Sequence, residues 1–190
     1  PLLMDRVFIA GAGYVGTVAA RLLAQAGHAI DIGRRTPGDE PGTHAMDVLR
    51  PATYPGALGE AGCIVYCVSA DGFTEESYRD AYVTGLANVI AAAAKGRARR
   101  LVFVSSTGVF GQDDGSVVDE SSPALPKGFS GRTLLEGEAL LASAPFEAAA
   151  IRFSGIYGPG RDRLIRMVRS GSPVSAKSRA TITNRIHRDD

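Results

Sequence analysis

The sequence predicts a three-layer α/β domain: a doubly wound parallel sheet with helices on both faces. Three observations lead to that class. Strand-like and helix-like runs alternate from one end of the chain to the other. A glycine-rich turn joins the first strand to the first helix. The 190 residues suffice for one such domain with a real core and are short for two.

The elements follow in order. Arg6–Ala10 (RVFIA) is a short β-rich run. Residues 14–26 read as a helix, because Val15, Val18, Ala19, Leu22, Leu23 and Ala26 recur at a spacing of three to four and Gly27 provides a stop. Residues 29–33 read as the second strand. A loop rich in proline and glycine (36–43) precedes a short third strand at 44–48 and a strong fourth at 63–68. A long helix is predicted over 74–95, with Tyr78, Tyr82, Leu86, Val89, Ile90 and Ala93 inward. The fifth strand is 101–105, and a polar loop fills 111–128. A helix over 132–141, a sixth strand over 148–153 and a helix over 161–170 complete the pattern. No internal repeat and no linker divides the chain, so residues 1–190 are expected to form one domain.

Composition narrows the function classes. Hydrophobic residues make up 45% and charged residues 22%, as in ordinary globular proteins. The net charge of +1 gives the whole chain no strong pull on nucleic acid or membrane. No apolar run approaches the roughly 20 residues a membrane helix needs. Cys63 and Cys67 lie in CIVYC. Four residues of strand span roughly 13 Å, too far for a disulfide, and no histidine or cysteine stands at metal-ligand spacing. Two core thiols are expected, in keeping with a reducing cytoplasm. No secretory pattern opens the chain at Pro1, and the expected location is cytoplasmic.

The motif with chemistry is Gly11-Ala12-Gly13-Tyr14-Val15-Gly16. Between a strand and an amphipathic helix, this pattern binds a dinucleotide. Gly11 permits the tight turn, Gly13 lets backbone touch a diphosphate, and Gly16 lets the helix pack close to the sheet. Amides at the helix start, Tyr14 and Val15 among them, face the anion. This is the Rossmann arrangement. The end of the second strand then selects the dinucleotide. A carboxylate there would hold a ribose hydroxyl of NAD, but the residues are Gly33-Arg34-Arg35. Arg34 or Arg35 suits a 2′-phosphate, so NADP is favoured over NAD. Asp31 stands three residues before Arg34, too early to take the carboxylate's place.

Later motifs carry a resemblance. They are Ser105-Ser106-Thr107-Gly108-Val109-Phe110-Gly111, Gly131-Arg132-Thr133-Leu134-Leu135-Glu136-Gly137-Glu138, Arg152-Phe153-Ser154-Gly155-Ile156-Tyr157-Gly158-Pro159-Gly160 and Asn184-Arg185-Ile186-His187-Arg188-Asp189-Asp190. In this order the set resembles the NAD-dependent epimerase/dehydratase family, the extended and atypical short-chain dehydrogenases/reductases. The resemblance implies further cofactor contacts. Asp47 and Val48 would meet adenine. Val68, Ser69 and Ala70 would run along the cofactor. Ser105 and Thr107 would lie beside the nicotinamide ribose. Ser154, Tyr157 and Pro159 would cover the nicotinamide.

Departures from the family pattern matter as much. Family enzymes use an asparagine, a hydroxyl, a tyrosine and a lysine, the lysine lowering the tyrosine's pKa for proton transfer. Thr107 keeps the hydroxyl. The tyrosine position falls on Ser130, the lysine position on Leu134 and the asparagine position on Tyr82. Two readings stay open. One is an atypical oxidoreductase or epimerase whose catalytic candidates are Thr107, Tyr157 and Ser130, with Tyr82 as a further hydroxyl and Lys127 as the nearest lysine to the missing site. The other is an NADP(H) sensor or partner-binding module without turnover.

Family members continue past the last motif into a substrate region, so a fragment lacking much of that region is expected. His187 is expected to orient or pack rather than to catalyse. Residues 161–188 hold eight basic side chains against Asp162, with Arg163, Arg166 and Arg169 on one helix face. This stretch suits either an anionic small-molecule substrate or plain solvation. It lacks the interleaved aromatics of a nucleic-acid site. A homodimer is left open.

Overall fold

The computed structural model describes residues 6–171 and 184–190. Six strands form one parallel sheet: β1 (Arg6–Ala10), β2 (Ala29–Arg34), β3 (Thr43–Ala45), β4 (Cys63–Tyr66), β5 (Arg100–Ser106) and β6 (Glu147–Phe153). Their spatial order is β3-β2-β1-β4-β5-β6. This is the doubly wound order, and its direction reverses between β1 and β4, where such sheets open a ligand crevice. Each strand begins at nearly the same level as its neighbour, for example Val7 beside Ile30 and beside Cys63.

The helices follow from the apolar pattern. On one face, α1 (Gly16–Gln25) lays Ala19, Ala20 and Leu23 against Val7, Ile9, Ile30, Ile32, Cys63 and Val65. Gly27 ends α1 with φ +93°. His28 N–H reaches back to the Leu23 carbonyl and Gly27 N–H to that of Ala24, so the last carbonyls are satisfied. The other face carries the larger core. There Phe8, Ile64, Tyr66, Leu101 and Phe103 meet Leu58 of α2 (Gly56–Glu60), Leu86, Val89 and Ala93 of α4 (Gly85–Ala93), and Leu134 of α5 (Phe129–Leu141). A second, two-stranded parallel sheet joins β7 (Gly155–Tyr157) to β8 (Arg185–His187), with α6 (Arg163–Arg169) between them in sequence.

Several expectations are corrected. The third strand is only Thr43–Ala45, because Met46 makes one last ladder bond to Arg34 and the chain then turns. The fourth strand stops at Tyr66, one residue before Cys67. The first helix starts at Gly16, since residues 13–15 make the turn itself. The penultimate helix starts at Phe129, which brings Ser130 into its first turn. The last helix is shorter, Arg163–Arg169. The helix expected over 74–95 runs from α3 (Glu75–Arg79) into α4 through a π turn at Asp80–Thr84. Thr74 caps its start, its hydroxyl accepting from Ser77 N–H at 3.2 Å. The α2 helix and the small sheet had no periodic signature, being five and three residues long. Cys67 is buried, Cys63 only half-buried, and no disulfide joins them.

Fully buried Tyr66 donates from Oη to the Ala81 carbonyl, within the π turn, at 2.5 Å. Tyr66→Phe removes this buried bond and is expected to cost about 1–2 kcal/mol in urea unfolding; an unchanged midpoint would show the bond to be dispensable.

Burial pushes the Cys67 thiol from 9.0 up to about 12. It likewise pushes the Tyr54 phenol from 10.0 up to about 12, helped by the charge of Asp47. The fold keeps both groups protonated while the unfolded chain ionises. Their stabilising contribution is therefore complete below about pH 9 and is lost as pH climbs through the folded values. The urea midpoint is expected to fall as pH rises above about 9, and Cys67→Ala to remove the earlier part of that decline.

Candidate functional site

The glycine turn and the crossover at the sheet centre build one cleft. Gly11 adopts φ +91°, and a Cβ there would lie 2.8 Å from the Val68 amide nitrogen. A Cβ on Gly16 would lie 2.2 Å from the Gly11 carbonyl oxygen. Both positions need glycine so that α1 can start directly beside the ends of β1 and β4. At Gly13 a Cβ would meet nothing within 4 Å. The notch over Gly13 is open, as backbone that approaches a diphosphate requires. Thr17 steadies the turn, its hydroxyl donating to the Gly13 carbonyl at 2.8 Å. The Thr17 amide already donates to the Gly13 carbonyl at 3.1 Å, and the positive end of the α1 dipole lies at this turn.

From this notch a cleft of about 620 Å³ runs along the strand ends. It gathers Gly11, Gly13, Arg34, Arg35, Asp47, Val48, Val68, Ser69 and Ala70, all singled out in the sequence. Its floor is at Gly33, where a Cβ would press on Met46 Sδ and Phe8. The wall after β3 is pinned from behind. The Val48 carbonyl accepts from Tyr54 Oη at 2.7 Å and from Asn88 Nδ2 at 3.0 Å. Asp47 accepts from Leu49 N–H at 3.0 Å. The Ala70 amide donates to Tyr82 Oη at 3.4 Å. Asp31 is absent from this lining: its buried carboxylate is engaged by Arg6 at 3.1 Å and His44 at 2.8 Å.

The remaining candidates lie elsewhere. Thr107 and Ser154 line a second cleft of about 670 Å³ beside β6, with Phe110, Asp119, Glu120 and Arg152. Thr107 Oγ1 faces the Phe153 carbonyl at 3.5 Å. Ser105 is buried and donates to Glu138 at 2.6 Å. Ser130 is half-buried on α5, four residues before Leu134, which is packed in the main core. No ammonium can therefore stand beside Ser130 from that position. Burial pushes the Tyr82 phenol up, with the Ala70 amide opposing, so it is held protonated near neutral pH. Tyr157 belongs to the small sheet, with its ring edge-on to His187 at 5.2 Å. Pro159 follows it, exposed. His187 accepts from the Asp189 amide at 3.3 Å and packs on Tyr157, as an orienting residue would.

Tyr14 and the small sheet hold each other. The ring of Tyr14 is flanked by the guanidiniums of Arg161 at 4.2 Å and Arg188 at 5.0 Å. Two members of the basic stretch thus stack on an aromatic ring, which is worth about 0.5–1 kcal/mol each near the surface. Arg166 pairs with Asp162. Lys177 and Arg179 lie outside the described residues.

The sequence reading missed a half-buried ion pair. Arg152 grips Glu138 through Nε and Nη2, the shortest contact being 2.6 Å, and Ser105 joins the same carboxylate. The hydrogen bonds that it donates to Glu138 hold the Arg152 guanidinium above its ordinary pKa. The pair ties α5 to the ends of β5 and β6. Its signal was a lone arginine within the apolar run AAAIRF, which needs an acid when turned inward.

These features define a protein of the short-chain dehydrogenase/reductase kind. Comparison with known proteins then fixes the family. The family described as RmlD substrate binding domain matches residues 6–182. A solved structure from Methylobacillus flagellatus, provisionally assigned as an NAD-dependent epimerase/dehydratase, is 39% identical with a TM-score of 0.81, covering 98% of this chain and 67% of that one. The chain belongs to the RmlD substrate binding domain family, as an atypical short-chain dehydrogenase/reductase of the epimerase/dehydratase type. Protein YeeZ of Escherichia coli strain K12 is 37% identical over 81 residues, which is 42% of this chain and 29% of that protein. MoeE5, solved with UDP-glucuronic acid and NAD, shares the fold at 24% identity and a TM-score of 0.80, over 96% of this chain and 68% of that one. Among the described residues no helix is long and apolar enough to cross a membrane.

Glu138→Gln leaves the Arg152 charge without its partner and is expected to cost about 2–3 kcal/mol of unfolding free energy. Adding Arg152→Met is expected to recover part of that loss. A double variant no better than the single would assign the cost to packing instead.

Proposed function

We propose that the chain binds a nicotinamide dinucleotide along the first cleft, NADP(H) in preference to NAD(H), as part of an oxidoreductase or epimerase/dehydratase. The substrate class is a nucleotide sugar or a related carbonyl compound. The observation that carries the reading is the open notch at Gly13, with backbone packed too tightly around Gly11 and Gly16 for any side chain. Such a notch takes an oxygen-rich anion against bare amides. The cleft that leads from it has a volume of about 620 Å³ and counts Arg34 and Arg35 in its lining.

In this reading the amides over Gly13 to Gly16 bind the diphosphate, and Arg34 meets the 2′-phosphate. Val48 and Val68 exclude water from the adenosine half. The bound nicotinamide would supply hydride acceptance and donation. Thr107 stands at the end of β5 to orient a substrate oxygen by hydrogen bonding. Tyr157 and Ser130 are the hydroxyls left to move a proton, and the position four residues after Ser130 holds Leu134 in place of the lysine that usually tunes one. That gap supports a second reading, an NADP(H) sensor without turnover. The specific observation in its favour is Leu134, an apolar core residue where the lysine would stand.

Gly13→Asp places a carboxylate in the notch and is expected to weaken NADPH binding by at least about a hundredfold. Retained binding in a fluorescence titration would refute the placement. Incubating the wild-type chain with NADPH and a panel of carbonyl and nucleotide-sugar substrates separates the two readings. Consumption of NADPH favours the enzyme, and stable binding without redox change favours the sensor.

A further inference from the structure

Asp71 lies just past β4 and was not singled out by any sequence motif. Its carboxylate meets Arg35 from the end of β2 in a two-point fork: Arg35 Nη1 to Oδ2 at 2.6 Å and Nη2 to Oδ1 at 2.5 Å. Both residues line the first cleft, Arg35 following β2 and Asp71 following β4. The pair therefore bridges the opening between β2 and β4. Both side chains are well exposed, at 63% and 66%. An exposed pair of this kind is weak enough to be exchanged for a better anion. Its neighbour Arg34 lines the same cleft, and its guanidinium has no hydrogen-bonding or ionic partner among the described residues. The two adjacent arginines are thus not equivalent: one is free and one is already answered by a carboxylate.

We propose that Asp71 sets how strongly the chain prefers the 2′-phosphorylated dinucleotide, by occupying the Arg35 guanidinium that the 2′-phosphate would otherwise share with Arg34. This inference rests on the dinucleotide reading above and adds a residue that reading does not need. A phosphate dianion and the Asp71 carboxylate compete for the same planar fork, since each accepts two parallel N–H bonds from it. NAD carries no group that competes, so Asp71 discriminates against NADP by holding one arginine back. Arg34 still favours NADP, and Asp71 limits the margin. The Asp71 carboxylate lies below its usual range because Arg35 donates to it, so the pair is fully charged at neutral pH.

The test measures Kd for NADPH and NADH on the purified full chain by fluorescence, for the wild type, Asp71→Asn, Arg35→Gln and the double variant. Circular dichroism confirms that each exposed substitution leaves the fold intact. Asp71→Asn is expected to raise the preference for NADPH over NADH about fivefold, the strength of one surface ion pair. In the Arg35→Gln background the same change is expected to have no effect on that ratio. An unchanged ratio in Asp71→Asn, with both cofactors still bound by the wild type, overturns the inference and leaves the dinucleotide reading standing. An equal rise with and without Arg35 also overturns it, because Asp71 would then act through net charge alone. Failure of the wild type to bind either dinucleotide removes the dinucleotide reading itself, and this inference with it.

Discussion

A Cβ on Gly11 would stand 2.8 Å from the backbone of Val68, and one on Gly16 would stand 2.2 Å from the Gly11 carbonyl. Three backbone segments thus touch without side chains between them: the turn after β1, the start of α1 and the end of β4. Everything at the ligand end of the sheet inherits its position from that contact. It aims the α1 amides over Gly13. It brings Val68, Ser69 and Ala70 alongside the same opening. It leaves the strand ends β2 and β3 to form the far wall. The large core behind α4 and α5 then fixes how far apart the two walls stand.

Much of this was legible in the residues. Alternating runs gave all six strands of the main sheet and the longer helices, because burial on both faces of a parallel sheet leaves a continuous apolar signature. The glycine spacing marked the turn, since only a missing Cβ satisfies that geometry. Elements of three to five residues, such as α2, β7 and β8, had too few positions to show a period. Strand ends were misplaced where hydrogen bonding, not hydrophobicity, decides the boundary, as at Met46. The site was legible where backbone makes it and opaque where distant side chains do. Asp71 is 36 residues from Arg35, and Glu138 is 14 from Arg152; no local pattern announces either pair.

The departures at the proton-transfer positions also have a structural sense. Leu134 is part of the apolar core, so the helix that would carry a lysine here contributes packing instead. Phe129, just before Ser130, belongs to an aromatic group with Phe73 and Tyr78, at ring separations of 5.0 and 5.4 Å. Tyr82 extends that group through Tyr78 and at the same time accepts from the Ala70 amide. Ring stacking and apolar contact hold this corner together.

The π turn at Asp80–Thr84 is one residue of surplus wound into a helix. Because an α-helix advances about 100° per residue, that surplus sets the rotational phase between α3 and α4. Evolution can move such a surplus but cannot delete it cheaply. A chain shortened by one residue here would turn Tyr82 away from the Ala70 amide or drag Leu86 and Val89 out of the core, so insertions and deletions along this stretch should arise in compensating pairs.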